Sequence, residues 1–446
     1  MSLEKLLPVP SNYFPRMARI VINSWGSYGD VNPYLALGLA LAARGHTPVM
    51  ALPGHFREDV LRVGLDFHPV GLVLDEEDPA TPAMIAGVMH PRWGGAYIYR
   101  DLMMPTLRET YAQLKAACVG ADLIISQPLG IGAPLLAETT GIRWASTVLA
   151  PLSFGSAHEM IVPPPLPALK QLEILGPGVP RFFAWFMRQL SAPWAEPVQQ
   201  FRRELGLPRG RHPIFEGQFG APLVLAMFSR VLAAPQPDWP HNTSITGQLV
   251  NDSAQGAALS ADLEQFLADG EPPVVFTLGS AAVRVSGTFF DESLRAMQRL
   301  KRRAVFLAGA DTTARLAGSL PDTMRMVDAA PHSMLFPRAS LIVHQAGVGT
   351  LGSALRSGKP TIAVPFANDQ PDNAWRIAQL GTSRTIYPND YRASNIIDVV
   401  DAMRRDARYA RRAAEIGTIV QAEDGPATAC DLIEQYLSAP TTHAAA

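Results

Sequence analysis

Ser340-Leu-Ile-Val-His344-Gln-Ala-Gly-Val-Gly-Thr350 decides the fold of this chain. Its apolar run delivers His344 at the carboxyl end of a buried strand. Gly347 and Gly349 then permit a tight turn, and Thr350 opens a short helix. A helix start preceded by glycines presents unpaired backbone N–H groups and the positive end of the helix dipole, which suits a diphosphate. A second buried strand at 361–366 leads to Asp369 and Gln370, side chains suited to the hydroxyls of whatever the diphosphate carries. The combination points to a nucleotide-sugar site.

Outward from this stretch, short β-branched runs alternate with helical patterns. The first half places strands at 19–24, 48–52, 123–126, 145–149 and 223–226. The second places them at 274–278, 304–308, 324–327, 341–343, 361–364 and 384–387. Such alternation implies parallel sheets with crossover helices. A polar stretch at 235–261 separates two such sheets, so the reading is α/β with two Rossmann-like domains and a cleft between them. The expected division is an N-terminal extension (1–16), an acceptor-binding domain (17–240) and a nucleotide-sugar-binding domain (241–424). A C-terminal helix and tail (425–446) follow, the helix returning to the first domain.

Composition narrows the function classes. At 446 residues the chain is too long for one ordinary core. With 48% hydrophobic and 17% charged residues, most of it should be packed. A net charge of −2 without a basic run argues against nucleic acid. No apolar stretch is long enough to span a bilayer. Cys118 and Cys430, without metal-ligand spacing, read as two buried thiols in a reducing, cytoplasmic setting. Two insertions interrupt the rhythm. One, at 75–110, begins with Asp75-Glu-Glu-Asp78. The other, at 161–197, is proline-dense and includes Arg181-Phe-Phe-Ala-Trp-Phe-Met187. Both suit binding walls. The aromatic run reads as a core or lid helix before it reads as a peripheral membrane contact.

The first strand leads into Trp25-Gly-Ser-Tyr-Gly-Asp30-Val-Asn-Pro33. Asn32 fits an N-cap and Pro33 a first helical position, which leaves Asp30 on the preceding loop. A carboxylate there can accept a proton from an attacking hydroxyl. It can also simply support the helix N-terminus. Asp122, ahead of the strand at 123–126, is a possible partner for such a base, though an ordinary strand-leading acid is the simpler reading.

At this point the chain resembles the metal-independent, inverting glycosyltransferases of the two-domain GT-B fold. Within the large UDP-glycosyltransferase family it is nearest the bacterial antibiotic, macrolide and sterol glycosyltransferases. The resemblance runs from about residue 19 to 437. Its carriers are Gly26-Ser-Tyr-Gly-Asp30-Val-Asn-Pro33, Phe276-Thr-Leu-Gly-Ser280, Pro331-His-Ser-Met-Leu-Phe-Pro-Arg338, His344 to Thr350 and Asn368-Asp-Gln-Pro-Asp-Asn373. It implies Asp30 as general base. Gly279, Ser280, His344, Gly347, Gly349 and Thr350 would hold the donor diphosphate, Asp369 and Gln370 the donor sugar. His332 would lie near the nucleoside.

The implied co-substrate is a nucleotide-diphosphate sugar, UDP-glucose first, with no metal and no other cofactor. No Asp-x-Asp pair occurs in the chain to clamp a metal. The implied acceptor is a hydroxyl of a small, largely apolar molecule of phenolic, macrolide or sterol type. A sugar-nucleotide 2-epimerase of the same fold, or a sugar-nucleotide binding protein without turnover, are the alternatives. Departures from the pattern are Ala329, where plant members stack a tryptophan on uracil, and Gly352, where they carry a ribose-binding glutamate. Gln345 and Ala346 replace the His-Gly or Gly-Gly pairs of bacterial members and are expected to tune backbone packing more than chemistry.

Overall fold

The computed structural model describes residues 17–440 apart from 76, 77, 165, 251–257, 317 and 319. The expected extension at 1–16 and the middle of the acidic run, Glu76 and Glu77, lie outside the described residues.

Two all-parallel sheets form the frame. The first contains β1 (Arg19–Asn23), β2 (Thr47–Leu52), β3 (Asp66–Pro69), β4 (Leu123–Ser126), β5 (Arg143–Val148), β6 (Leu223–Ala226) and β7 (Thr243–Ile245). Their spatial order is β3-β2-β1-β4-β5-β6-β7. The second contains β8 (Val274–Thr277), β9 (Ala304–Leu307), β10 (Met324–Val327), β11 (Leu341–His344), β12 (Thr361–Ala363) and β13 (Ser383–Thr385), in the order β10-β9-β8-β11-β12-β13. Helices cover both faces, so the central strands are buried on both sides and read as unbroken apolar runs. The chain therefore has two Rossmann-like parallel-sheet units, as the alternating pattern implies.

Strand order reverses between β1 and β4 in the first sheet and between β8 and β11 in the second. In open parallel sheets ligands bind outside the carboxyl ends of the strands at such switch points. Asp30 in the helix after β1, Gly279 after β8 and His344 at the end of β11 all stand at the carboxyl ends of strands at the two reversals.

Some expected boundaries shift. β3 and β7 are edge strands without a β-branched core run, and the sequence pattern missed both. Because β7 pairs with β6, the first sheet reaches past the boundary placed at 240. The proline-dense insertion contains one long helix, Gly178–Glu204, with Pro193 and Pro197 inside it. Its aromatic face is not core, since Phe182, Trp185 and Phe186 are exposed. Cys430 is buried and Cys118 only half-buried, and both are free thiols. No described helix is long and apolar enough to cross a membrane.

The two units share an apolar seam. Val148, Phe228 and Leu232 from the first pack in one cluster with Leu351, Ala374 and Ile377 from the second. Met89, from the first insertion, joins the second unit's core. The helix Gly425–Ser438 returns to the first sheet, where Cys430 and Ile433 pack with Ile20 and Leu41. Arg44 bonds Asp431 and Glu434 there, and His46 lies 3.2 Å from Glu434. The chain crosses between the units near Gly247 and again near Gly425. The two crossings touch: a side chain on Gly425 would overlap the Gln248 carbonyl, and one on Gly247 would crowd Glu423.

Candidate active site

The helix after β1 runs Tyr28–Ala43, starting earlier than Asn32 and Pro33 suggest. Ser27 is the N-cap, and Pro33 lies inside the helix. Asp30 is thus the third helical residue rather than a loop residue. Its Oδ2 accepts from the Ser27 backbone N–H at 2.9 Å and from the Ser27 hydroxyl at 3.0 Å. This is the returning arm of a capping box. No other described residue bonds Oδ1, so one oxygen anchors the helix while the second remains for chemistry. Gly26 is required beside it, because a β-carbon there would overlap the Asp30 carboxylate, and its φ of 128° favours glycine. Burial raises the Asp30 pKa, with the Ser27 bonds opposing the shift.

Across the cleft, the helix Val348–Ser357 starts two residues earlier than Thr350, with Gly347 as N-cap and no side chain capping it. Its first turn is therefore left uncapped by any described side chain, on the side of the helix start that borders the first unit. A β-carbon on Gly349 would stand 3.6 Å from the Gly29 Cα, so the first turns of the two facing helices nearly touch.

His344, at the end of β11, is fully buried. Its Nδ1 accepts the Ala346 N–H at 3.1 Å, which leaves the ring proton on Nε2. Among the described residues Nε2 has no partner, and neither do the buried Ser280 Oγ and Gln345 Oε1. Orphaned buried polar atoms cost about 1–3 kcal/mol each, so their clustering around an uncapped helix start is the signature of a ligand site. Burial, aided by the nearby His332, pulls the His344 pKa down to about 3, so the ring is neutral and donates through Nε2. Gly279 and Ser280 follow β8 and face this turn. Ala346 adopts a φ of 65°, a conformation costing an L-residue roughly 1–2 kcal/mol.

Asp369 is the N-cap of the helix Gln370–Gln379. Asp369 Oδ2 accepts from Asn373 Nδ2 at 2.6 Å, and the same Nδ2 donates to the Ala346 carbonyl at 2.9 Å. Asn373 therefore ties the candidate sugar loop to the candidate diphosphate loop. Gln370 Oε1 accepts from the Phe366 and Ala367 amides, which leaves its Nε2 for a ligand. Burial pushes Asp369 up to about 7, with the Asp30 charge adding to the shift.

His332 starts a short helix, stacks on Phe336 at 4.3 Å between ring centroids and is mostly buried. It sits within electrostatic reach of His344. Asp122 binds the Arg19 N–H at the opposite end of β1 and cannot serve Asp30. The space left by Gly352 is filled by the Gln248 side chain, whose Nε2 donates to the Val348 carbonyl at 2.8 Å. Asp372 is buried rather than free: it accepts the Val162 N–H at 2.8 Å and pairs with Arg376 at 2.7 Å. Arg376 also reaches Glu159 and the Leu232 carbonyl, each at 3.0 Å. The proline-dense insertion is thus strapped to the helix that begins at Asp369.

Residues 294–435 match the family described as Erythromycin biosynthesis protein CIII-like, C-terminal domain. Over 440 residues the chain is 31% identical to O-mycaminosyltylonolide 6-deoxyallosyltransferase of Streptomyces fradiae, covering 95% of this chain and 99% of that one. It is 28% identical over 439 residues to a Sterol 3-beta-glucosyltransferase of Emericella nidulans, covering 94% of this chain and 30% of the fungal protein. Among solved structures, the glycotransferase of kitacinnamycin superposes with a TM-score of 0.69 at 21% identity, over 94% of this chain and 99% of that one. The glycosyltransferase VinC, solved in complex with DTDP, does so with 0.67 at 20%, over 93% and 98%. At these identities the structural likeness bears on the fold alone. Two facing Rossmann-like units and end-to-end likeness to the Streptomyces fradiae enzyme lead to one assignment: the chain belongs to the family 1 glycosyltransferases of GT-B fold and is a glycosyltransferase.

Proposed function

We propose that this glycosyltransferase moves a hexose from a nucleoside-diphosphate sugar to a hydroxyl of a small, largely apolar acceptor, with inversion and without a metal. The observation that carries the reading is the meeting of Asp30, Asp369 and the uncapped Val348 helix across one cleft. Asp30 takes the acceptor proton through Oδ1 as the oxygen attacks the anomeric carbon. The bond from that carbon to the diphosphate breaks on the opposite face. The departing negative charge is met by the Val348–Ser357 helix start and the His344 Nε2–H, both fixed in place before the reaction. Asp369 and the Gln370 Nε2 bond the sugar hydroxyls. A single carboxylate acting as base, with no second nucleophile, gives one displacement and hence inversion.

The relatives' names support an apolar acceptor: one describes transfer to O-mycaminosyltylonolide, the other to a sterol. They also describe different sugars, 6-deoxyallose and glucose, so UDP-glucose is the first donor to try and dTDP sugars the second. The deciding experiment crosses a donor panel with macrolide, sterol and phenolic acceptors, reads products by mass spectrometry and assigns the anomeric configuration by NMR. Transfer should survive EDTA. Retention of configuration would remove Asp30 from the proposed role. Formation of UDP-ManNAc from UDP-GlcNAc without acceptor would replace the transfer reading by an epimerase.

A further inference from the structure

The long helix Gly178–Glu204 has two halves with different surroundings. In the second half Ala195, Val198 and Phe201 are buried, and Val198 and Phe201 pack in the first unit's core. In the first half Phe182, Trp185, Phe186 and Leu190 are exposed. Their spacing puts them on one face of the helix. The ring centroids of Phe182 and Trp185 lie 5.8 Å apart and those of Phe182 and Phe186 6.4 Å apart, so the rings make one continuous surface. The preceding segment, Pro167–Leu175, packs against the same helix and carries Ile174, 90% exposed, and Leu175, 73% exposed.

Given the size of such side chains, these residues leave roughly 750 Å² of mostly apolar area in water. The largest apolar patch on a typical monomer is about 300–600 Å². An association of standard size buries about 800 Å² on each partner, so the patch has the area that one side of such an interface requires. A lipid surface would call for a basic border around the apolar face. Here the net charge is −2, Arg188 is paired with Glu216, and Lys170 is buried over the Trp375 ring. Phe182, Phe186 and Leu190 form a ridge at four-residue spacing. Two such ridges interdigitate at a crossing angle of about −50°, so the row is complementary to a second copy of itself. A two-fold interface demands that self-complementarity. We propose that the face carrying Phe182, Trp185, Phe186 and Leu190 is the surface on which two copies of this chain pair about a two-fold axis. Phe186, the middle of the ridge, lies nearest that axis. The inference goes beyond the transfer chemistry proposed above and stands independently of it.

The test is sedimentation velocity of the intact protein from about 0.1 to 50 µM, which covers the weak end of interfaces of this size. Wild type should sediment at twice the chain mass at the upper concentrations. Phe186→Glu and Phe186→Lys should each sediment as monomers. An equimolar mixture of the two should regain the dimer, because opposite charges then meet near the axis. Phe182→Ser, which truncates an exposed ring, should weaken pairing by about tenfold or more while its circular dichroism matches wild type. That variant decides the matter if the Phe186 variants fail to fold. Wild type that stays monomeric throughout, whether or not it sediments with phosphatidylcholine–phosphatidylglycerol vesicles, would overturn the proposal. So would a dimer that Phe182→Ser and Phe186→Glu leave intact.

Discussion

Asp30 and Asp369 belong to different sheets, yet the charge on Asp30 raises the pKa of Asp369. Each follows a strand at the carboxyl edge of its own unit and lies in the first turn or at the cap of a helix. The two units thus bring two acids within electrostatic reach of each other.

Asp30→Asn removes the proton acceptor while preserving the side-chain shape. Transfer should fall by roughly 10²–10⁴-fold, the usual worth of a positioned base. UDP affinity should be maintained or slightly improved, because a like charge has left the cleft. Product formation by mass spectrometry and calorimetry with UDP check the two halves separately. Near-normal turnover would exclude Asp30 as the base.

Asp369 gives a pH signature. In the folded chain it retains its proton to about pH 7, against an ordinary value of 3.8. Folding therefore takes up a proton in that window. The group's contribution to stability is whole at the acid end and is lost as pH rises through 7. Relative to wild type, Asp369→Asn should gain stability steadily between these limits and run parallel above them. Urea unfolding of both proteins at stepped pH measures the difference, and a flat difference would mean that Asp369 is ionised throughout. In transfer assays, Asp369→Ala should blur discrimination among donor sugars more than it weakens free UDP.

His344 behaves oppositely. Its ring stays neutral in the folded chain down to about pH 3, whereas an unfolded histidine titrates near 6.5. Its share of stability is present above 6.5 and lost as pH falls toward 3. Over pH 6–8 the ring should not titrate, so its bond to the diphosphate should be equally strong throughout. NMR of the imidazole should show one unchanging neutral form, and a midpoint inside that range would contradict the assignment.

Gly349 tests the approach of the two helices. A β-carbon there would meet Gly29 at 3.6 Å, ordinary contact, so Gly349→Ala should fold normally and gain about 0.5–1 kcal/mol from helix propensity. Gly349→Leu has no room while the helices face each other. It should lose transfer while retaining a near-native melting temperature.

The Asp372–Arg376 pair tests the strap. Both are buried, so Asp372→Ala leaves the Val162 amide unpaired and Arg376 with only Glu159 and the Leu232 carbonyl, and should cost up to about 3–5 kcal/mol in urea unfolding. Replacing both residues by apolar ones should cost much less. Equal losses would assign the pair a role other than charge compensation.

The sheets were legible because strands buried on both faces must be continuously apolar. The edge strands at Asp66 and Thr243 have no such requirement and left no trace. Asp30 and Asp369, singled out by type and position, do come within electrostatic reach of each other, and His344 does end β11. The first two helix starts were misplaced because Asn32, Pro33 and Thr350 suit a helix opening in isolation, whereas Ser27 and Gly347 hold the N-cap positions. Gln345 is confined between Gly279 and Gly347, a contact that no local pattern predicts because Gly279 arrives from a different strand. Asn373 likewise joins two loops that no local pattern connects.

The touching crossings at Gly247 and Gly425 join the two units side by side at one place. The relative placement of Asp30 and Asp369 therefore depends on two backbone connections in contact with each other, together with the apolar seam.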